Sequence, residues 1–146
     1  MRHNYSEALK EYKRIENILL KRGYTFSITG SMRREKCTIG DIDIIIRKKS
    51  SEFEKIMQEI TKFSRIKDRE QFIVETDGGI EIQFIFQEEG YIYNLWTSTG
   101  SKSHVKRVKE IYSSKNIELP FDAESEEEIY KRAGMEYIKP QDREEI

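Results

Sequence analysis

Between residues 4 and 22, apolar side chains return every three or four positions: Leu9, Tyr12, Ile15, Ile18 and Leu19. This spacing predicts an amphipathic helix, and Gly23 stands where a C-cap would close it. The period then changes. Residues 24–29, YTFSIT, alternate as a strand does. A short polar turn or helix follows at Gly30-Ser31, and residues 41–47, DIDIIIR, form a second strand. Helical spacing resumes with Phe53, Ile56, Met57 and Ile60, in a helix that Ser50 or Ser51 would cap and that ends near Lys62. Two alternating runs, QFIVET and IEIQFIF, flank Asp77-Gly78-Gly79 and predict a hairpin.

Beyond the hairpin only helical patterns remain. Residues 91–102, YIYNLWTSTGSK, predict a short helix and a tight turn, and residues 102–115 a helix with a basic face. SEEEIYKRAG reads as a capped helix closed by Gly134, before a last turn at Pro140. The order is helix, strand, strand, helix, strand, strand, then helices only. It predicts an α+β fold, with a small mixed sheet backed by two helices and a helical C-terminal lobe. The 146 residues fit one compact domain, with subdomains at 1–92 and 93–146.

Composition narrows the class. Sixteen aromatics and many isoleucines supply a core despite a charged fraction of 36%, so disorder is not expected. No run of about 18 apolar residues occurs, and no charged-then-apolar leader opens the chain. A soluble, intracellular (cytoplasmic) protein with no membrane partner is expected. Cys37 is the single cysteine, and no Cys/His cluster suggests zinc. The net charge of −1 hides an asymmetry: residues 1–49 carry +6 and residues 50–146 carry −7. Inside the acidic half, KSHVKRVK is a separate basic patch. Basic regions on either side of an acidic site suit a nucleic-acid substrate.

Side chains alternate along a strand, so Asp41 and Asp43 share one face while Ile42, Ile44 and Ile46 share the other. In the hairpin strand Ile80, Ile82, Phe84 and Phe86 make the apolar face, and Glu81 projects from the opposite one. If the two strands are neighbours, Asp41, Asp43 and Glu81 converge. Like charges so placed raise one another's pKa unless a cation sits among them, and Mg²⁺ is suited to a few carboxylates plus substrate phosphates. Upstream, Gly30-Ser31 ends a strand and opens a turn, followed by Arg33-Arg34. Free backbone N–H groups, a hydroxyl and guanidinium groups make a cradle for phosphate oxygens.

Gly-Ser followed by Asp-x-Asp is similar to the signature of the DNA polymerase β-like nucleotidyltransferase superfamily. The longer string GSMRREKCTIGDIDIII resembles family X DNA polymerases, whose form is G-S-x-R-R-x-(few)-G-D-[IVM]-D-[IVL]. TGSKSHVKRVKEI, residues 99–111, resembles the family's Y-F-T-G-S segment and the helix after it. AESEEEIYKRAGMEYIKPQDREE, residues 123–145, resembles its C-terminal lobe. Only 29 residues precede Gly30, too few for the family's lyase and fingers domains, so the chain resembles the minimal viral members.

The resemblance implies a nucleotidyltransferase palm with a small C-terminal lobe, acting as a monomer. The implied activity is template-dependent addition of dNTPs to a primer 3′-hydroxyl, using two Mg²⁺ ions (Mn²⁺ as substitute) and filling short gaps during DNA repair. Asp41 and Asp43 then bind both metals, and Glu81 takes the third carboxylate's place. Gly30, Ser31, Arg34 and Gly40 hold the triphosphate, with Arg33 bracing the loop. Thr97, Ser98, Gly100, Ser101, Lys102 and Val105 meet the sugar and base. Lys106, Arg107 and Lys109 meet DNA phosphates, helped by Lys10, Lys13, Arg14, Lys21 and Arg22 on the first helix.

The chain departs from the family at several of these positions. Glu81 stands for Asp, Gln83 for Arg, Thr97-Ser98 for an aromatic pair, Val105 for Asn and Lys109 for Arg. These departures keep two other functions open. One is nucleotidyl transfer to RNA or protein, and the other is a degenerate palm that binds DNA without catalysis.

Overall fold

In the computed structural model, residues 2–144 are described; Met1, Glu145 and Ile146, at the ends of the two expected subdomains, lie outside them. The elements are β1 (His3–Asn4), α1 (Tyr5–Lys21), β2 (Phe26–Thr29), α2 (Gly30–Arg33), β3 (Thr38–Ile39) and β4 (Ile42–Ile46). There follow α3 (Phe53–Ile60), β5 (Ser64–Asp68), β6 (Ile73–Thr76) and β7 (Glu81–Phe86). The remaining helices are α4 (Tyr91–Thr99), α5 (Lys102–Ser114) and α6 (Glu126–Arg132), with a 3-10 turn at Pro140–Asp142. The fold is the expected α+β arrangement.

Local chemistry explains the helix boundaries. Asn4 and Glu7 form a capping box: the Asn4 side chain accepts from the Glu7 amide at 2.8 Å, and the Glu7 carboxylate accepts from the Asn4 amide at 3.4 Å. Ser101 and Ser125 cap α5 and α6 by accepting from the His104 and Glu128 amides. The expected cap at Ser50 or Ser51 is not formed. A 3-10 turn, Ser50–Glu52, leads directly into α3 without a side-chain cap.

Five strands form one sheet in the order β2-β4-β7-β6-β5. β4 and β7 are parallel and every other pair is antiparallel. Helices α1 and α3 cover one face, where Ile15, Leu19, Ile56 and Ile60 pack against Ile42, Ile44, Ile46, Ile82 and Phe84. On the other face Ile45 packs against Tyr91 and Leu95 of α4. Burial on both faces explains the unbroken isoleucine run that ends β4. Each fully buried isoleucine contributes about 1.5–3 kcal/mol. A second core, built on Trp96, Val108, Tyr112, Ile129 and Tyr130, joins α4, α5 and α6.

Two features depart from the sequence expectations. β5 was not anticipated. It is an edge strand, SRIKD, whose polar residues suit an exposed edge but mask the strand pattern. The helix α1, with Lys10, Lys13, Arg14, Lys21 and Arg22, packs on the sheet face opposite Asp41 and Asp43. Its basic residues therefore lie on a different side of the sheet from the carboxylates. Among the described residues no helix is long and apolar enough to cross a membrane.

Candidate active site

The strand registers decide which polar residues meet. β2 and β4 pair so that Thr29 lies opposite Asp43, which puts the following Gly30 directly beside that aspartate. A β-carbon on Gly30 would lie 3.2 Å from Asp43 Oδ2, and Gly30 has φ +66°. Glycine is therefore needed twice over at this position, for the close approach and for the left-handed backbone. β4 and β7 pair with Asp43 opposite Gln83 and Ile42 opposite Ile82, and the same register carried one residue further back sets Asp41 beside Glu81.

The two aspartates behave as an unneutralised pair. Asp41 is exposed and Asp43 half-buried. Burial, reinforced by the charge of Asp41, pushes the Asp43 carboxyl up to about 6. An oxygen-only donor set with one depressed acidity suits a hard divalent cation. Glu81 does not complete the set in this conformation. Its carboxylate pairs with Lys67 at 2.7 Å, and no three metal-ligating side chains converge among the described residues. The expected three-carboxylate cluster is thus reduced here to two aspartates with Glu81 alongside. The cause is Lys67 on the unanticipated strand β5.

The two adjacent arginines after Gly30-Ser31 part company. Met32 is fully buried and pins α2 into the first core. Arg33 donates to Glu126 in a bidentate pair (2.8 and 2.5 Å) and to Thr99 Oγ1 at 2.8 Å. Arg143, fully buried between the rings of Tyr130 and Tyr137, donates to the same Glu126 at 2.9 Å. Burial alone would raise the Glu126 pKa, but the two arginines outweigh it and hold the carboxyl below its ordinary range. Arg33 is thus a brace between the palm and the helical lobe.

Arg34 turns the other way. It donates to the Thr99 carbonyl at 2.5 Å and faces Glu144 at 3.4 Å. Gly100, with φ +71°, makes room for it, since a β-carbon there would lie 3.1 Å from Arg34 Nη1. Ser31 is half-exposed beside it. A cleft of about 550 Å³ opens at this point, bordered by Arg34, Lys36 and Arg2. Arg2 was not anticipated. Its guanidinium donates to Thr38 Oγ1 at 3.0 Å and to the Thr38 carbonyl at 2.7 Å, and it packs over Gly40. The two-residue pairing of β1 with β3 brings it there, too short a pattern to read from sequence.

The sugar and base residues expected on α4 and α5 are only partly gathered. Thr97 and Ser98 turn back onto their own helix, both donating to the Asn94 carbonyl, at 3.1 and 2.6 Å. Thr29 Oγ1 donates to Ser98 Oγ at 2.7 Å, tying α4 to β2. Thr97, Lys102, Val105, Lys106 and Lys109 line a second cleft of about 350 Å³. Val105 is nevertheless 7% exposed and belongs to the second core. Lys109 stands over the Tyr93 ring at 5.8 Å. Lys102, Lys106 and Lys109 share a helix face through their four- and three-residue spacing. Arg107 is exposed outside that cleft. Ser101 is the cap of α5, and its amide donates to the Arg143 carbonyl at 2.8 Å.

His104 is fully buried, its Nε2 at 2.7 Å from the Tyr130 hydroxyl, which also accepts from Trp96 Nε1. It is part of the packing.

The family model described as DNA polymerase beta palm matches residues 3–83, more than half of the chain. The chain belongs to the DNA polymerase β palm family. The match ends at Gln83 and so covers the segments carrying Gly30-Ser31, Asp41, Asp43 and Glu81. No curated protein matches the sequence significantly. The palm is of the nucleotidyltransferase-like polymerase kind, and α4 to α6 lie beyond the matched residues.

Proposed function

We propose that this palm is a template-dependent DNA polymerase that adds nucleotides to a primer 3′-hydroxyl and fills short gaps in DNA, as a monomer. The observation that carries the proposal is the approach of Gly30 to Asp43, which sets the phosphate cradle against the carboxylate pair. Asp41 and Asp43, with Glu81 third, would hold two Mg²⁺ (or Mn²⁺), and bound cations supply Lewis acidity and neutralise phosphate charge. Ser31, Arg34, Arg2 and the Gly30 and Gly40 backbones bind the triphosphate. Gly100 and Ser101 lie under the sugar. Lys102, Lys106 and Lys109 meet nucleic-acid phosphates, which sets position and not sequence.

In the reaction the primer 3′-oxygen bonds to the α-phosphorus as the bond from that phosphorus to the bridging oxygen breaks, and pyrophosphate leaves. Glu81 accepts the hydroxyl proton after releasing Lys67. Holding the reactants in line accounts for most of the work such a site does.

One observation favours a second reading. Thr97 and Ser98 are short and folded back on α4, so little there excludes a ribose 2′-hydroxyl. Transfer of ribonucleotides, to RNA or to a protein hydroxyl, is compatible with that geometry.

A primer-extension assay on gapped DNA with Mg²⁺ separates these functions. Extension with dNTPs by the wild type, and none by Asp43→Ala, is the expected result. Extension that needs rNTPs, or labelling without a primer, selects the second reading. Failure of both wild type and Glu81→Asp with either Mg²⁺ or Mn²⁺ leaves a DNA-binding palm without chemistry.

A further inference from the structure

The last described turn lies across the phosphate cradle. Glu144 places one carboxylate oxygen 3.4 Å from Arg34 Nε and the other 3.2 Å from Lys36 Nζ. All three side chains line the cleft that Arg2 also borders. One anion bridging two cations is the contact pattern a phosphate group would make there. Two more ties hold the turn down. The Gln141 side chain donates to the Glu35 carboxylate. The Arg143 carbonyl accepts from the Ser101 amide, while the Arg143 guanidinium is locked on Glu126. Glu35 reaches Gln141 from a φ of +55°, a left-handed backbone that a side chain disfavours. Arg143 is fully buried and the Glu144 side chain is 40% exposed, so the turn has a fixed anchor and a movable arm.

We propose that Glu144 is an in-chain competitor for the nucleotide's phosphates and sets the affinity of the cradle. This rests on the reading of Arg34 and its neighbours as the triphosphate site. A triphosphate, with several charges, takes Arg34 and Lys36 from a single carboxylate. A weaker anion does not. Glu144 swings away while Arg143 stays on Glu126 and keeps the Gly100-Ser101 turn in place. The competing pairs are partly exposed, so their removal tightens binding by a factor of about 2 to 10.

The test is titration calorimetry of the whole chain with inorganic tripolyphosphate and with dATP, each in the presence of Mg²⁺. Glu144→Gln, at a half-exposed position, should bind both probes 2- to 10-fold more tightly, with Glu144→Asp between it and the wild type and the thermal midpoint unmoved. In the wild type, saturating tripolyphosphate should leave the Ser101 amide, which donates to the Arg143 carbonyl, protected from hydrogen exchange. Equal or weaker binding by Glu144→Gln means the pair only orients Arg34, and the proposal falls while the triphosphate site stands. A wild type that binds neither probe removes the triphosphate site and this proposal together.

Discussion

Two charge clusters flank α2, and they are built on opposite terms. Glu126 is buried between Arg33 and Arg143, its negative charge answered by two cations of the chain itself. Asp41 and Asp43 sit on one strand face, the second half-buried, with no cation from the fold between them. The first cluster holds the Glu126 carboxyl low, and the second drives the Asp43 carboxyl up to about 6. An acidic pair left without a cation among the described residues is the arrangement that the proposed function uses. Matched charge marks architecture and unmatched like charge marks chemistry.

The comparison breaks most sharply at Asp43. Asp43→Asn should lower primer extension by on the order of 10² to 10³-fold, while a denaturant melt shows stability equal to or above wild type, because a repelled charge has gone. Glu126→Ala should do the reverse. It leaves Arg143 buried without its partner, a loss of about 3–5 kcal/mol in unfolding free energy measured by the same melt.

Acid titration of stability in chelator sharpens the contrast through opposite signs. The folded-state pKa of Glu126 is lowered, so its contribution is complete above the ordinary carboxylate range and is lost as pH falls through the lowered value. That of Asp43 is raised from 3.8 to about 6, so the folded state holds the proton more tightly and stability declines as pH rises between those values. Asp43→Asn should remove the second slope and Glu126→Gln the first.

The smallest effect is expected at Lys67. It pairs with Glu81 in the open, a contact worth about 0.2–1 kcal/mol. Lys67→Met should free Glu81 and lower the Mg²⁺ concentration for half-maximal extension by up to about 5-fold. An unchanged requirement would mean Glu81 takes no part in cation binding.

Much of the palm was legible in advance because its signals are local. The alternation in DIDIIIR placed Asp41 and Asp43 together, the Asp77-Gly78-Gly79 turn placed the hairpin, and the cap in SEEEIYKRAG marked the start of α6. β5 escaped because Ser64 and Asp68 share its inner side with Ile66, so its alternation in burial is not matched by one in hydrophobicity, and with it went Lys67, which pairs with Glu81. Glu126 escaped for a different reason. It stands in an acidic run with Glu127 and Glu128, which reads as a solvated helix start, and nothing in its own neighbourhood distinguishes the one carboxylate that is buried.

The amino-acid order by itself determined the elements, the face each strand presents to the core, and the placing of Gly30-Ser31 and two aspartates on adjoining segments. Those follow from side-chain period and turn chemistry, which act over a few residues. Only the tertiary structure decided which partners Arg33 and Arg34 take, that Arg2 and Glu144 enter the same cleft from distant parts of the chain, and that Glu81 rests on Lys67. Each of those outcomes depends on which charge arrives next to which, and electrostatic pairing across long sequence separations has no signature in any single stretch of chain.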